Sequence, residues 1–355
     1  MKTKQQNDFS QRPSAIDLFC GCGGMTEGLK QAGYKVLWGI DLAASPLMSY
    51  RANHPDVLVT EKDIRQVDCK DMMRILDLKK GDLDLLAGCP PCQGFSSIRT
   101  HNGRYSIGDD RNDLIHDYFR FVESFRPKAV MLENVPGLKD NWRFHNFIES
   151  MTSLGYKGEW KVLNVANYGV PQRRKRLIYV AAHEKDIRIS DRQYEKRTVR
   201  DAIGDLPPAG TSGDFMHDFP EKRTEKIQKM IALIPRDGGG RSQLPDEYIL
   251  PCHKRNPDGF KDVYGRMAWD NPSPTITGGC ASPSKGRFLH PEENRCITLR
   301  EAALLQGFPR NYIFPGGVAK DRLALMVGNA LPVPFIYAHA KEIKQQMKQW
   351  EAKNG

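Results

Sequence analysis

The sequence lacks the ligand spacing of a structural zinc site. It holds one CxxC pair, Cys89 and Cys92, and no HxxxH pair, whereas tetrahedral zinc needs a second pair of ligands. The eight cysteines are spaced irregularly and follow no secretory signal, so we expect reduced thiols, no disulfides and no bound metal. Because charged residues interrupt the apolar runs, we also expect no helix that spans a membrane.

Internal repeats and long low-complexity tracts are absent too. What the chain does have is length and positive charge. Its 355 residues suffice for one large domain and a smaller one. Lys and Arg number 53 against 43 Asp and Glu, and the resulting net charge of +10 favours a polyanionic partner such as nucleic acid.

The order of apolar runs predicts the fold. After a polar tail (residues 1–12), short apolar runs alternate with segments of helical period; the runs are 14–19, 34–40, 82–87, 128–133, 160–165 and 176–182. This alternation is typical of an α/β fold with a doubly wound, mostly parallel sheet. Past residue 185 it gives way to turn-rich stretches, so we expect an irregular second domain over about 186–319 and a first domain of 13–185 plus about 320–355. Helices are predicted at Thr298–Gln306, where Thr298 and Glu301 have capping-box spacing, and over about Val333–Trp350.

A glycine-rich turn follows the first apolar run. Gly21 and Gly23 lie between a predicted strand and a predicted helix, where the backbone can approach a ligand closely. Their spacing differs from the GxGxxG pattern of dinucleotide-binding folds, while Asp41, at the end of the second run, is placed to bind ribose hydroxyls. Two interpretations are open. The features fit a site for a nucleotide-like cofactor, but a tight turn that binds no ligand has the same sequence pattern.

The CxxC pair lies in GCPPCQGFS (88–96), directly after a predicted strand. One interpretation is a thioredoxin-like redox site or half of a zinc site. A second is a single thiolate nucleophile at Cys92, because the prolines and glycine of this segment favour a loop of fixed shape around one thiol. A third is a buried cysteine without chemistry. In the second interpretation Cys89 is only a loop residue.

Two further candidates adjoin apolar runs. Glu133 ends one run at the expected carboxyl edge of the sheet, near Cys92, where it can hold a proton or donate one to a substrate ring. An ordinary solvated glutamate is the alternative. Four basic residues at 173–176 precede the last run, and such a charge run is usually a solvated face. On a strand, however, Arg174 and Arg176 share one face and can grip a phosphate or a base carbonyl together.

Taken in order, these segments resemble the motif series of the DNA (cytosine-5) methyltransferase family, from about residue 14 to 340. The matching segments are DLFCGCGG (17–24), GCPPCQGFS (88–96), DDRNDL (109–114), ENV (133–135), QRRKR (172–176), RCITLREAALLQGFP (295–309) and VGNALPVP (327–334). The first resembles the family's cofactor-binding motif and the second the loop of its catalytic cysteine. The segment from about 186 to 275 lies outside the motifs, and in this family it reads the target sequence.

The resemblance implies S-adenosylmethionine as the cofactor, with S-adenosylhomocysteine as its product. Asp41 stands where the family has its ribose-binding acid, although Glu is commoner there. Leu42 stands where some members have an aromatic residue that stacks on adenine, and Asp63 and Ile64 resemble the segment that reads adenine. The implied cofactor contacts are Phe19, Cys20, Gly21, Cys22, Gly23, Asp41, Leu42, Asp63, Ile64, Pro90, Leu114, Asn329 and Ala330.

A mechanism is implied as well. Carbon 5 of cytosine is too weakly nucleophilic to take a methyl group unaided, so Cys92 would first add at carbon 6. Glu133 would neutralise charge at ring nitrogen 3, Arg176 would hold the base carbonyl, and Arg174 would support the site. The target base must leave the stacked duplex to be reached. Contacts to DNA are expected from Gln93, Ser96, Arg111 and Gln172.

Compact size fits a bacterial or phage restriction-modification or solitary methyltransferase. We expect a cytoplasmic monomer that acts on duplex DNA, with any cognate restriction endonuclease acting separately. The alternatives are an RNA (tRNA) cytosine-5 methyltransferase, a catalytically silent DNA-binding relative, and a redox or zinc protein that uses Cys89 and Cys92. A Cys89→Ala variant distinguishes the last of these, because we expect it to retain activity.

Overall fold

The chain divides into two compact units. The computed structural model describes residues 12–91, 114–256 and 259–354. The first unit comprises Met1–Asn164, Lys175–Arg192 and Val333–Gly355, and the second comprises Val165–Arg174 and Gln193–Pro332. The second unit therefore begins with a short segment that the sequence analysis assigned to the first domain.

One sheet organises the first unit. Over the described residues it has seven strands: β1 Ser14–Leu18, β2 Lys35–Asp41, β3 Leu58–Glu61, β4 Leu85–Gly88, β5 Ala129–Asn134, β6 Tyr156–Asn164 and β7 Lys175–His183. The strand order is β3-β2-β1-β4-β5-β7-β6; β1 to β5 pair in parallel, and β7 runs antiparallel to both β5 and β6. The predicted doubly wound, mostly parallel sheet is confirmed. Only β3 was not predicted, because this four-residue strand has no fully buried position and so no apolar run.

The helices fall in both units. In chain order they are α1 Gly24–Gln31, α2 Ala44–Asn53, α3 Cys69–Ile75, α4 Leu114–Phe125, α5 Trp142–Ser153, α6 Val199–Ile203, α7 Glu225–Leu233, α8 Pro251–Arg255, α9 Leu299–Leu305, α10 Lys320–Asn329 and α11 Val333–Asn354. Helices α1 to α5 and α11 belong to the first unit. Both sequence-predicted helices are present, as α9 with its Thr298–Glu301 capping box and as α11.

The core of the first unit lies between the sheet and aromatic side chains of α4 and α5. Phe121 of α4 packs on Trp38 of β2 with ring centroids 5.7 Å apart, and both are fully buried. Helix α1 packs closely on α11 at Gly28, where a Cβ atom would lie 2.7 Å from Cβ of Ile336. Gly28 of the glycine-rich segment therefore serves helix packing.

The second unit has no strand among its described residues, so backbone carbonyls need other donors. Arg266 supplies several of them from a fully buried position. Its guanidinium donates to the carbonyls of Ile231, Ile234, His290 and Glu293 and to Oδ1 of Asn294.

One helical stretch of the described residues, Lys320–Lys353, contains a window apolar and long enough to cross a membrane, with mean hydropathy 1.4. The expectation that charged residues interrupt every such run is wrong here. Of that window, 72% is buried within the protein, and the core helix of a globular protein has the same length and composition.

Candidate active site

The candidate site residues of the first unit lie at one edge of the sheet. In a sheet of parallel strands, the carboxyl ends of the strands form the ligand crevice. Each candidate residue ends a strand or follows one: residues 19–23 follow β1, Asp41 ends β2, Asp63 follows β3, Pro90 follows β4 and Glu133 lies near the end of β5. Because β7 is antiparallel to β5, its first residues, including Arg176, reach the same edge. Strand topology thus gathers most of the sequence-predicted residues of this unit.

The turn after β1 has an unusual backbone. Phe19, Gly21 and Gly23 all adopt positive φ angles, of 63°, 52° and 96°, and Gly23 is the N-cap of α1. A Cβ atom added to Gly21 would meet nothing within 4 Å, so the space above this turn is open. A non-glycine residue such as Phe19 holds a left-handed conformation only where its surroundings enforce it, which is common at ligand sites.

Asp41 is fixed in place by this turn. Its Oδ2 accepts the Gly21 N–H at 2.9 Å and its Oδ1 accepts the Ala43 N–H at 2.9 Å. Burial raises the pKa of Asp41 above its ordinary value. Each carboxylate oxygen keeps a second lone pair that can accept a hydroxyl, and the neighbouring Leu42 is exposed. The open turn, the anchored acid and this apolar neighbour fit the ribose and base of a nucleoside.

Asp63 and Ile64 adjoin the same edge. Asp63 caps a short 3₁₀ turn by accepting the Arg65 N–H, and hydrogen bonding from the Arg65 side chain lowers the pKa of Asp63. The Ile64 side chain is buried, and its carbonyl accepts Nη2 of Arg120 at 2.7 Å. These bonds fix the backbone of this segment.

A buried polar network that the sequence analysis missed lies at the β1–α1 segment. Asp17 is fully buried and accepts the Thr26 hydroxyl at 2.7 Å, and the same hydroxyl lies 2.8 Å from the Tyr50 hydroxyl. Burial raises the pKa of Asp17 to about 7. The signal was an aspartate at an inward-facing position of an apolar strand, beside the glycine-rich turn.

Glu133 lies in a row of three side chains on adjacent strands. Cys89 donates its thiol hydrogen to Oε2 of Glu133 at 2.8 Å, and Nε of Arg176 lies 2.8 Å from Oε1. The strand register explains the row. Gly88 pairs with Leu132, so the next residues, Cys89 and Glu133, are neighbours; Ile178 pairs with Glu133, so Arg176, two residues earlier, shares its face. Glu133 is 1% exposed, which excludes the solvated glutamate that the sequence left open.

The start of the segment that holds the predicted nucleophile is anchored to the sheet. Asn134 donates its Nδ2 hydrogen to the Pro90 carbonyl at 2.9 Å, and the Cys89 N–H donates to the Leu18 carbonyl at 3.2 Å. The predicted nucleophile and three predicted DNA contacts, Cys92, Gln93, Ser96 and Arg111, lie outside the described residues. Leu114 is the first residue of α4 and packs against the core.

The other predicted site residues belong to the second unit. Gln172 was expected to contact DNA, but it is fully buried; its Nε2 donates to Gln306 Oε1 at 2.8 Å and its Oε1 accepts the Ile276 N–H at 2.9 Å. Its amide therefore braces this unit. Arg174 directly precedes β7, and its carbonyl accepts the Val165 N–H at 2.9 Å, so the shared strand face with Arg176 stays a prediction.

Arg174 instead joins two segments of the second unit. Its Nη1 donates to the carbonyls of Ile276 and Gly328, each at 3.0 Å. The predicted cofactor contacts Asn329 and Ala330 directly follow Gly328, at the end of α10 and at its C-cap.

Most thiols of the described residues are buried and inert. The seven described cysteines are free, and burial raises the pKa of Cys22, Cys280 and Cys296 to about 12. The described ranges contain no group of three or more His, Cys, Asp or Glu residues arranged to hold a metal ion.

The sequence model of the C-5 cytosine-specific DNA methylase family matches residues 14–345, nearly the whole chain. The chain belongs to this family. The predicted enzyme class, a DNA (cytosine-5) methyltransferase, is confirmed by this match, and membership implies a methylase that uses S-adenosylmethionine and acts on DNA.

Relatives of restriction-modification type match the methylase over similar lengths. It is 37% identical to the Type II methylase M.HgiDII of Herpetosiphon aurantiacus, over 94% of this chain and 95% of that protein. It is 33% identical to the Type II methyltransferase M1.HphI of Haemophilus parahaemolyticus, over 92% and 86%. A crystal structure of a DNA modification methyltransferase encoded within an E. coli prophage has the same fold, with a TM-score of 0.69 and 23% identity over 95% of this chain and 99% of that one.

Proposed function

We propose that this methylase transfers a methyl group to carbon 5 of a flipped-out cytosine within a specific duplex DNA sequence, through a covalent bond to Cys92. The observation that carries the proposal is the buried Glu133 held between Cys89 and Arg176. A buried carboxylate at the edge where the Cys92 segment leaves β4 is what attack on a pyrimidine ring requires.

Cys92 acts first in the proposed reaction. Its thiolate electron pair forms a bond to carbon 6 of the base, and the electrons of the 5,6 double bond become available at carbon 5. Glu133, which takes up a proton when the base binds, donates that proton to ring nitrogen 3 as this bond forms and recovers it when the thiolate leaves. Arg176 holds the base carbonyl, and Arg174 braces the site. Carbon 5 then takes the methyl group. Loss of its proton, to water, restores the double bond and expels the Cys92 thiolate.

When bound, S-adenosylmethionine supplies the electrophilic methyl group and leaves as S-adenosylhomocysteine. Asp41 is proposed to accept its ribose hydroxyls, and the open turn at Gly21 admits its chain close to the backbone. The adenine is proposed to contact Leu42, Asp63 and Ile64. The remaining proposed cofactor contacts are Pro90, Leu114, Asn329 and Ala330.

The second unit is proposed to read the target sequence, with the net charge of +10 supplying salt-dependent contact to phosphates. Gln93, Ser96 and Arg111 remain proposed DNA contacts. We propose a monomer in the bacterial cytosol that needs no bound endonuclease, since Type II methylases are among its relatives.

Transfer of labelled methyl groups to duplex DNA tests the proposal. We expect 5-methylcytosine in one sequence context by bisulfite sequencing, no transfer by Cys92→Ala, and a denaturant-resistant adduct with DNA containing 5-fluorocytosine, whose fluorine blocks the final elimination. Full turnover by Cys92→Ala, or robust methylation without any adduct, would contradict covalent attack. Methylation of RNA but not DNA would contradict the substrate.

A further inference from the structure

Cys89 holds one of the two oxygens of the proposed acid. The Cys89 thiol is the hydrogen donor to Oε2 of Glu133, at 2.8 Å, while Arg176 occupies the other oxygen. The resemblance to the family gave Cys89 no role, and the sequence analysis treated it as a loop residue. Its side chain is instead half-buried, against a carboxylate that is 1% exposed.

The Cys89 thiol is held firmly enough to orient its partner. Its backbone N–H is bonded to the Leu18 carbonyl, which ties it to β1, and it directly follows the last residue of β4. A thiol is a weak donor to a neutral oxygen, but a charged acceptor strengthens any hydrogen bond. The Glu133 carboxylate is thus held by a thiol hydrogen bond from the residue after β4 at Oε2 and by an ion pair with Arg176 of β7 at Oε1.

We propose that Cys89 is a positioning residue for methyl transfer, whose thiol holds the Glu133 carboxylate in the orientation that meets ring nitrogen 3. This inference rests on the proposed role of Glu133. Cys89 forms no bond to substrate or cofactor and acts only through the glutamate. It therefore differs from Cys92, three residues later, which is proposed to attack the base.

Loss of the thiol has a predictable effect. Without the Cys89 thiol, Oε2 of the buried Glu133 carboxylate loses one hydrogen bond, and the Glu133 side chain gains rotational freedom. The reacting geometry is then populated less often, while the cofactor edge at Asp41 is unchanged. We expect Cys89→Ala to retain activity, unlike a variant of a redox or zinc pair, but with kcat lowered about tenfold, the loss that one hydrogen bond to a charged group produces. The Kd for S-adenosylmethionine should be unchanged.

The test compares Cys89→Ala, Cys89→Ser and the matched control Cys252→Ala, whose thiol is exposed in the second unit. Single-turnover rates, cofactor Kd by calorimetry and thermal midpoints are measured for each. Serine restores an O–H donor, so we expect Cys89→Ser to stay within about threefold of the parent rate, because most of the hydrogen bond is recovered. Cys252→Ala should match the parent enzyme.

A double-mutant cycle with Glu133→Ala separates positioning from general damage. With no carboxylate to orient, adding Cys89→Ala should cost nothing more. A parental rate in Cys89→Ala, or the same tenfold loss in the Glu133→Ala background, overturns the inference. If Cys89→Ala unfolds, Cys89→Ser decides: a folded serine variant at the parental rate supports the inference, and a folded but slow one overturns it.

The proposed function fails in a different way. A parent enzyme that makes no 5-methylcytosine, or a Glu133→Ala variant at full rate, removes the role of Glu133 itself. An impaired Glu133→Ala together with a fully active Cys89→Ala removes only the role of Cys89.

Discussion

Nε of Arg176 lies 2.8 Å from Oε1 of Glu133, and the two side chains project from the same face of antiparallel strands. Both are largely withdrawn from solvent, at 14% and 1% exposure. A carboxylate buried this deeply is stable as an anion only beside a partner, and removing that partner leaves an uncompensated charge. The pair therefore links the proposed chemistry to the stability of the sheet edge.

Arg176→Met is expected to remove methyl transfer and to lower the free energy of unfolding by about 3 kcal/mol, because Glu133 is left buried and unpaired. Chemical denaturation and labelled-methyl transfer measure the two effects. Adding Glu133→Gln should restore most of the stability without restoring transfer, since neither charge then remains. Continued instability of the double variant would show that the pair is not the cause.

Asp41→Asn is expected to weaken cofactor binding about tenfold, because hydrogen bonds to a charged acceptor are stronger than those to a neutral one. In addition, the amide group of asparagine would place its own hydrogens against the N–H of Gly21 or Ala43, where two donors oppose each other. Calorimetry with S-adenosylmethionine measures the change. Asp41→Glu is the control that keeps the charge and should bind more tightly than the asparagine variant. Equal affinity of Asp41→Asn and the parent would exclude Asp41 from the cofactor site.

Stability should depend on pH through Asp17. Burial raises the pKa of this carboxyl from its ordinary 3.8 to about 7 in the folded chain. Below about pH 4 it is protonated in both states and its contribution is complete; as the pH rises through 7 the folded state must lose the proton and the contribution is lost. Asp17→Asn stays neutral and can still accept the Thr26 hydrogen.

The thermal midpoints of parent and Asp17→Asn should therefore diverge between pH 4 and 8, with the parent losing stability relative to the variant. The upper limit is on the order of 4 kcal/mol for a shift of this size. A constant difference over this range would show that Asp17 does not titrate there.

Gly28→Ala is expected to destabilise the first unit by about 2 kcal/mol, because the new Cβ would lie 2.7 Å from Cβ of Ile336 and 2.9 Å from the Val333 carbonyl. The clash outweighs the helix propensity that alanine gains over glycine, about 1 kcal/mol. Gly316→Ala is the matched control, since a Cβ there meets nothing within 4 Å. Similar unfolding energies for the two variants would refute close packing of α1 on α11.

Arg266→Met should unfold much of the second unit. Five hydrogen bonds are lost at once, four of them to backbone carbonyls, and methionine supplies no donor to replace them. Arg310→Ala is the control, because Arg310 pairs with Asp205 at the surface, where an ion pair contributes about 0–1 kcal/mol. Hydrogen exchange of α7 locates the effect, and unchanged protection there would contradict it.

Local patterns predicted the fold and the edge of the sheet where the candidate site lies. The apolar runs of β1, β2, β4, β5 and β7 were visible because each strand has buried positions, and Asp41 and Glu133 were visible because they end such runs. The run in β6 was visible from its apolar residues alone, since its only buried position is Tyr156. The pairing of Cys89 with Glu133 was not visible, since it depends on the register between β4 and β5, which no local pattern specifies.

The contacts of Gln172 and Arg174 were not visible in the sequence for a related reason. Both residues lie just before β7, which begins at Lys175. Gln172 and Arg174 are occupied by carbonyls and amides far away in the sequence, around Ile276 and Gln306. When segments far away in the sequence bury a polar side chain, the residues next to it in the sequence show no pattern that predicts the burial.

The first unit is assembled from three separate lengths of chain, the last of them Val333–Gly355. Helix α11 in that length covers α1, which carries the glycine-rich turn at its start. During synthesis the turn and β1 leave the ribosome first, yet their packing partner emerges only after the whole second unit. At 5 to 20 residues per second, roughly, this delay lasts tens of seconds. A nascent chain therefore cannot complete the first unit before the second unit, which is proposed to read the DNA, has also been made.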